Sequence, residues 1–325
     1  MRPLARVYVD ALHQAGHQCR LITSDQHYEP VPARDYERVL DPRPRDPRTL
    51  PPLLRVLADA RRWRPDVVIT ELVWDPRWLP LTRLAPMVHL VHDDQPHDAT
   101  EIRPAWQRAL FRHLCRAATE LVAFSEHVAR RLDATVVPLT SDVADTDLPT
   151  ITGPRRDFVL YGRIAPYKNV PVALRAWRRH LDSPAYAGDR LLIIGDGPAD
   201  LGALPPHCEW RRGRFRYPDV LPVLGAAKGS LAHYRLATQS GVQLLSMQLG
   251  VTPIVSDSGG LPEFQPPGEQ GVGVDDVTGL AAAFDALADP EAAEKRGAAA
   301  REHYLRWFAA SRSAAALADI LAQVS

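Results

Sequence analysis

Two basic side chains follow a short apolar segment near the middle of the chain. Arg163 comes directly after Gly162, and five residues later comes Lys168, one of only three lysines among 325 residues. Residues 157–161 have the apolar pattern of a strand and residues 170–181 that of a helix. Backbone N–H groups and the helix dipole attract anions where a helix begins. The segment therefore predicts a phosphate-binding site, and the alternative is a solvated turn with two ordinary surface cations.

Glycines also follow two later apolar segments, at residues 190–194 and 251–255, which are predicted strands. The residues at these two strand ends are Gly195, Gly197, Gly259, Gly260 and Glu263. Ligands of open α/β sheets bind beyond the carboxyl ends of the strands, so we expect the three strand ends to line one crevice. A single Gly-x-Gly would be weak support, because glycine after a strand often only completes a turn.

The order and spacing of these motifs resemble a known family. The chain carries Gly-Arg-x4-Lys at residues 162–168, Gly-x-Gly-Pro at 195–198 and Gly-Val-x-Pro-Ile-Val-x3-Gly-Gly-x2-Glu at 250–263. Together they look like the donor half of the large retaining glycosyltransferase family, glycosyltransferase family 4-like or "glycosyl transferases group 1". That family includes bacterial mannosyl- and glucosyltransferases and sucrose synthases. The resemblance is strong over residues 155–310 and weak over the N-terminal half.

The resemblance implies an α/β chain with the GT-B fold, in which two Rossmann-like domains face each other across a cleft. We expect an N-terminal acceptor-side domain at residues 1–145 and a nucleotide-sugar-binding domain at 155–305. Residues 146–154 are the expected linker, because aliphatic patterning lapses there. Residues 306–325 are expected to form a C-terminal helix that returns toward the N-terminal domain.

The N-terminal half alternates predicted strands and helices. Members of the family begin with a strand and a Gly-rich turn, whereas this chain opens directly into a helix at residues 5–15. We therefore expect the first strand to be missing, so that either the chain begins late or another element fills its place in the sheet. The later predictions are strands at residues 19–23, 66–70, 86–91 and 120–124 and helices at 50–63, 104–118 and 126–132.

Relatives usually carry two glutamates that are separated by seven residues, and both are replaced in this chain. Alignment on Gly250 places Ala237 and Leu245 at their positions. In relatives the later glutamate binds the ribose hydroxyls and the earlier one lies near the transferred sugar. An aliphatic side chain does not replace a carboxylate that accepts two hydrogen bonds. The substitutions therefore make the fold a safer prediction than the activity.

The segment between those two positions still offers groups for a diphosphate or a ribose. Its backbone N–H groups and amides belong to residues 239–243, of which we assign Gly241, Val242 and Gln243 to the donor site. The alternative for Gln239 and Gln243 is exposed polarity at a helix terminus.

His92 is the candidate for chemistry in the N-terminal half. It is the first residue after the apolar segment at 86–91, and the resemblance implies that it lies beneath the transferred sugar. The resemblance likewise implies a catalytic role for Glu263. Two competing interpretations of His92 stay open: a hydrogen-bonded loop histidine, or a metal site. The metal site is disfavoured, because successive strand residues point to opposite faces and no zinc-type spacing is met. It would draw on His89, His92, Asp93, Asp94, His97 and Asp98.

Composition excludes several classes of protein. Apolar residues make up 46% of the chain, enough for two cores, and the formal net charge of zero gives no electrostatic case for nucleic acid. The three cysteines form neither a disulfide framework nor a Cys-x-x-Cys metal site, so a reducing cytoplasm is expected. There is no signal-peptide pattern and no apolar run long enough to span a membrane, which leaves only peripheral membrane contact open.

The sequence predicts a glycosyltransferase that moves a sugar from a nucleotide-diphosphate sugar to an unidentified acceptor, with retention and without a metal or cofactor. Arg163 and Lys168 would neutralise the leaving diphosphate. Two other interpretations remain. A catalytically inactive GT-B protein that binds a nucleotide-sugar or a partner would account for the replaced glutamates. A GT-B sugar-nucleotide epimerase would need further acidic residues, which the sequence does not supply.

Overall fold

A computed structural model describes residues 2–24, 31–43, 45–96 and 103–325. The described chain divides into two units. The first contains the residues up to Asp142 together with Ala310–Ser325, and the second contains Val143–Ala309. Strands and helices alternate in both units and every strand pairing is parallel, so the α/β prediction is confirmed.

The first unit has two separate parallel sheets. Its strands are β1 (Leu21–Ser24), β2 (Glu37–Leu40), β3 (Val68–Glu71), β4 (Met87–Val91), β5 (Glu120–Ala123) and β6 (Thr135–Val136). In one sheet β1 pairs with β2, and in the other the strand order is β3-β4-β5-β6. The central strand β4 is buried along its whole length, as expected for a parallel strand with neighbours on both sides. The first four helices of the unit are α1 (Arg2–Gln14), α2 (Leu50–Trp63), α3 (Ala105–Ala117) and α4 (Glu126–Leu132).

An ion pair fastens the first helix to a strand that the apolar pattern did not predict. Arg2 Nε donates to Glu37 Oε1 at 2.6 Å, and Arg6 Nη2 donates to Glu37 Oε2 at 2.5 Å. Although burial raises the pKa of Glu37, the two guanidinium groups and the N–H of Arg34 lower it to about 2. From the sequence alone, a charged residue such as Glu37 at a buried position argues against a strand. In the fold, two arginines of α1 pair with this carboxylate, so the charge is compatible with a buried strand.

The second unit has one five-stranded parallel sheet. Its strands are β7 (Phe158–Tyr161), β8 (Leu191–Ile194), β9 (Cys208–Arg211), β10 (Gly229–Ala232) and β11 (Thr252–Val255). Their order in the sheet is β11-β10-β7-β8-β9. The core of the unit contains Phe158, Trp177 and Phe284, whose rings contact one another edge to face. The helices are α5 (Val170–Leu181), α6 (Tyr217–Gly225), α7 (Gly241–Gln248), α8 (Val277–Asp285) and α9 (Pro290–Trp307).

The last helix, α10 (Ala310–Val324), packs against α1 in the first unit. Ser313 Oγ donates to the carbonyl of Pro138 at 2.7 Å and so attaches the start of this helix. The segment that follows Asp142 belongs instead to the second unit, because Gln248 Nε2 donates to the carbonyl of Val143 and to Asp145 Oδ1. Among the described helices, none is both long and apolar enough to cross a membrane.

Candidate active site

The strand order of the second unit defines where its binding crevice lies. From β7 the chain proceeds outward to β8 and β9, and then returns to place β10 on the other side of β7. The loops that follow β7 and β10 therefore leave the sheet in opposite directions. In open α/β sheets this topological switch point, at the carboxyl ends of the strands, is where ligands bind.

Lys168 lies buried at this switch point. Its Nζ donates to the carbonyl of Tyr161 at 3.1 Å and to the hydroxyl of Tyr234 at 2.7 Å, which joins the β7 loop to the β10 loop. The residue is 4% exposed, and burial lowers the pKa of its ammonium group. Gly162 has φ +110°, and a Cβ there would lie 3.3 Å from Nζ. Arg163, the next residue, is exposed.

The N-terminus of α7 lies beside this lysine. Ser240 caps the helix by accepting from the N–H of Gln243 at 3.2 Å, and its Oγ lies 3.4 Å from the hydroxyl of Tyr234. Gly241 and Val242 form the first turn, where backbone N–H groups have no intrahelical acceptor. The structure therefore brings the predicted lysine and the predicted start of α7 together through Tyr234.

Gln243 is not exposed at the helix terminus, which was the alternative interpretation of this residue. Its side chain is fully buried, and Nε2 donates to the carbonyl of Leu261 at 3.0 Å and to Gln265 Oε1 at 3.1 Å. Both amide hydrogens are used within the protein. These bonds hold the 3-10 helix Leu261–Phe264, which presents Glu263 as an exposed side chain.

The predicted glycines allow neighbouring loops to touch through their backbones. A Cβ on Gly195 would lie 1.9 Å from the carbonyl oxygen of Gly162, and one on Gly197 would lie 2.0 Å from that of Ile164. Such distances leave no room for a side chain. Apolar strands followed by glycine were recognisable in the sequence, but the partner of each glycine became visible only in the fold.

The glycine pair after β11 packs in the same way. Gly259 has φ +62°, and a Cβ there would lie 1.9 Å from the carbonyl oxygen of Ala237. The N–H of Gly260 donates to that carbonyl at 3.0 Å. The loop that follows β10 is thus held against the loop that follows β11.

Both aliphatic residues that replace the family's glutamates are in the core. Ala237 is buried against Tyr234, Val255 and Leu261. Leu245 is fully buried on the side of α7 that faces the sheet, in the cluster that contains Val159 and Leu192. Neither residue offers a polar group to a ligand.

In the first unit, His92 lies at the carboxyl end of β4. Its Nε2 bonds to the carboxylate of Glu71, and its ring packs on that of Phe124 with centroids 4.5 Å apart. Glu71 is a site residue that sequence reasoning missed. It ends the adjacent strand β3, where it is paired in register with Leu90. A carboxylate at the end of one strand and a histidine just after its neighbour were the available signal.

His89 faces the opposite side of the sheet from His92, in agreement with the alternation of strand side chains. It is buried, bonded through Nδ1 to Thr70 Oγ1 at 2.8 Å and packed near Phe111. Burial lowers the pKa of His89 to about 4. Within the described ranges no group of three or more His, Cys, Asp and Glu side chains is placed to hold a metal. His97 and Asp98, two members of the competing metal site, lie outside those ranges.

Each half of the chain matches the model of a known protein family. Residues 5–140 match the model of Glycosyltransferase Family 4, and residues 155–289 match the model of Glycosyl transferases group 1. The chain therefore belongs to the glycosyltransferases, with one family model matching each half. No curated protein is significantly similar to it in sequence.

Solved structures share its fold over nearly its whole length. Sucrose-phosphate synthase from Thermosynechococcus elongatus has a TM-score of 0.71 at 20% identity, with 98% of this chain and 92% of that chain covered. The trehalose-6-phosphate structure from E. coli, bound with UDP-2-fluoro glucose, has a TM-score of 0.68 at 13% identity, with 99% and 96% covered. HepE from Anabaena, in complex with UDP and glucose, has a TM-score of 0.66 at 13% identity, with 94% and 100% covered. The fold is GT-B, as the resemblance predicted.

Proposed function

We propose that this protein transfers a hexose from a nucleotide-diphosphate sugar to an acceptor, with retention at the sugar carbon, and that Arg163, Lys168 and the start of α7 hold the diphosphate. One observation carries the assignment. The buried ammonium group of Lys168 lies at the topological switch point. The hydroxyl of Tyr234 lies between this group and Ser240, which caps the N-terminus of α7. A buried cation and free backbone N–H groups around one point suit a phosphate.

The chemistry follows from where charge develops. When the sugar leaves, negative charge accumulates on the oxygens of the departing diphosphate. Lys168 is held in position by Tyr161 and Tyr234 before the donor arrives, so no rearrangement is needed as that charge grows. Fixed positive charge stabilises the transition state more than the ground state, and this difference accelerates the reaction.

His92 and Glu263 are the proposed catalytic residues that act on the transferred sugar. When the imidazole is neutral, the bond to Glu71 makes Nε2 the donor nitrogen and Nδ1 the acceptor. Glu263 is presented by a 3-10 helix that Gln243 holds in place. In this proposal Gln243 contributes by fixing that helix, while Gly241 and Val242 contribute backbone N–H groups.

A thermal-shift panel of UDP-, GDP-, dTDP- and ADP-sugars tests the donor class, because a ligand at one hundred times its Kd adds about 2.7 kcal/mol of stability. With the donor that binds, Arg163→Ala and Lys168→Ala should each weaken binding by about 1.5–3 kcal/mol, the scale of a lost charge-assisted hydrogen bond. Lys295→Ala, which removes an exposed lysine on α9, is the control. Wild-type affinity in both site variants would falsify the phosphate assignment.

A second candidate function is a nucleotide-sugar-binding protein without catalysis. The replacement of the two glutamates by Ala237 and Leu245 favours this function, because both side chains are buried and neither position retains the carboxylate that relatives place there. The two functions differ in turnover. A catalyst releases nucleoside diphosphate from the bound donor when acceptor is supplied or, more slowly, by hydrolysis, whereas a binding protein returns the donor intact.

A further inference from the structure

Tyr234 follows β10 and faces Lys168 across the switch point. We propose that Tyr234 is itself a ligand of the donor: its phenolic hydroxyl donates a hydrogen bond to the diphosphate, beside the ammonium group of Lys168. The inference rests on the proposed function and adds a neutral donor to a site where the sequence nominated only cations, glycines and the start of α7.

The hydrogen bonds around Lys168 leave one donor for a ligand. An ammonium group has three hydrogens. Two are directed at the carbonyl of Tyr161 and at the hydroxyl oxygen of Tyr234. The ring of Tyr234 also lies near Nζ, with its centroid 4.3 Å away, but the described residues provide no further oxygen or nitrogen acceptor for the third hydrogen.

The hydroxyl of Tyr234 likewise has a hydrogen without a good acceptor among the described residues. Its oxygen accepts from Lys168 Nζ, which leaves the O–H to find an acceptor of its own. The only other polar contact among the described residues is Ser240 Oγ at 3.4 Å, well beyond the ordinary O–H···O distance of about 2.7–2.8 Å. A buried hydroxyl without a good acceptor is costly, and a phosphate oxygen at this point would satisfy it.

The protonation state suits a donor. Burial raises the pKa of Tyr234 far above the neutral range, so the phenol keeps its proton. Burial lowers the pKa of Lys168, and an anion bound to both groups would favour the charged ammonium form. A neutral hydroxyl contributes a hydrogen bond without the desolvation cost of a second buried cation.

The ring of Tyr234 is also fixed in position. Tyr167 packs edge to face against it with centroids 5.6 Å apart, and the carbonyl of Tyr167 accepts from the N–H of Arg235 at 2.8 Å. Ser256 Oγ donates to the carbonyl of Tyr234 at 2.6 Å. Both side chain and backbone are held before a ligand binds, so little ordering entropy opposes the contact.

The experiment compares Tyr234→Phe with wild type, using UDP and GDP as probes in calorimetric titrations. Phenylalanine keeps the ring packing and removes only the hydroxyl. The expected result is binding of the preferred probe about tenfold weaker, equal to about 1.4 kcal/mol. Tyr186→Phe is the matched control, because that hydroxyl bonds to the carbonyl of Asp189 at 3.1 Å, away from the switch point. It should leave affinity unchanged.

A double variant separates direct contact from positioning of Lys168. If Tyr234 touches the phosphate, Lys168→Ala/Tyr234→Phe binds the probe at least threefold more weakly than Lys168→Ala alone. Equal affinity of the two would show that Tyr234 acts only through the lysine and would overturn the inference. Unchanged affinity in Tyr234→Phe would overturn it too, while a loss in Lys168→Ala would leave the proposed function standing. If the wild-type protein binds neither UDP nor GDP nor any nucleotide-sugar of the panel, both this inference and the proposed function are wrong.

Discussion

His89 and His92 are three residues apart in sequence, yet their surroundings differ in kind. His92 bonds to a carboxylate at the end of a strand, whereas His89 is enclosed by Thr70 and aromatic packing. The strand geometry explains the difference, because residues three apart on a strand point to opposite faces. Side-chain chemistry alone therefore does not decide which histidine has a functional role.

The first prediction concerns His92. His92→Ala should reduce turnover by roughly 10²-fold or more, because a positioned hydrogen-bonding group acts on rate more than on ground-state affinity. Donor binding should change by less than about 0.5 kcal/mol, since the residues proposed to hold the diphosphate belong to the other unit. Steady-state kinetics and titration with the donor measure the two effects. His113→Ala, an exposed histidine on α3, is the control.

A conservative variant separates catalysis from structure at the same position. His92→Gln can still donate to Glu71, so it should fold with near wild-type stability and yet turn over slowly. Full turnover in His92→Ala, or a loss of donor binding together with thermal stability, would identify His92 as a structural loop histidine.

The second prediction concerns His89. The pKa of His89 is about 4 in the fold and 6.5 as the reference value, so the unfolded chain takes up the proton first as pH falls. The stability that depends on neutral His89 is fully present above about pH 6.5 and is lost as the pH falls toward 4. By pH 5 the loss in the free energy of unfolding is about 2 kcal/mol. His89→Gln cannot gain that proton. Between pH 7 and pH 5, the free energy of unfolding of His89→Gln should therefore fall by about 2 kcal/mol less than that of the wild type.

Urea unfolding of wild type and His89→Gln at pH 7, 6 and 5 provides the measurement. All other titrating groups are common to the two proteins, so only the difference between the two pH profiles is interpreted. His113→Gln, which replaces an exposed histidine on α3, is the control for the substitution itself. Parallel profiles for wild type and His89→Gln would contradict the assignment.

At the scale of elements, α7 combines two functions on two faces. Its first turn presents free N–H groups beside Tyr234, while its sheet-facing side buries Leu245 in the core. The helix therefore positions the proposed phosphate site through apolar packing. Ser240 fixes where the helix begins, and Gln243 connects it to the 3-10 helix that carries Glu263.

The third prediction tests this division. Leu245→Glu should lower the free energy of unfolding by about 3–5 kcal/mol, because it places a carboxylate without a partner in an apolar cluster. Leu245→Met keeps the volume and polarity of the site and should cost less than about 1.5 kcal/mol. Denaturant unfolding measures both. A Leu245→Glu protein of wild-type stability that binds donor more tightly would show that the residue faces the ribose.

At the scale of the whole molecule, the chain builds two α/β units with different proposed tasks. The first carries His92, and the second carries the residues proposed to hold the donor diphosphate. The first unit has two parallel sheets and the second has one, and each unit has its own core. Binding free energy for the nucleotide should therefore reside mainly in one of them.

The fourth prediction follows from that separation. A bound nucleoside diphosphate should slow amide hydrogen exchange most strongly in the loops after β7 and β10 and in the first turn of α7, because local opening there would break contacts with the ligand. The helix α3 of the first unit should show a smaller change. Exchange measured by mass spectrometry with and without the probe checks this. Equal protection of both regions would argue against a site centred on Lys168.

Much of this architecture was readable from local pattern. Helices α2, α4 and α5 have the predicted bounds, and Ser125 caps α4 by accepting a hydrogen bond from the N–H of Val128 at 3.3 Å. Periodicity and caps act within a few residues, so a single sequence encodes them directly. The glycine, arginine and lysine motifs likewise marked the strand ends where the proposed donor site lies.

The contacts that complete the site were decided only by tertiary structure. Lys168 and Tyr234 are 66 positions apart in sequence, and Glu71 and His92 are 21 apart. They meet because β10 pairs beside β7 and because β3 pairs beside β4. Local propensity does not specify which strands become neighbours. That choice depends on how all the apolar faces are buried together, so the sequence by itself determined the motifs, and the fold determined which residues stand beside them.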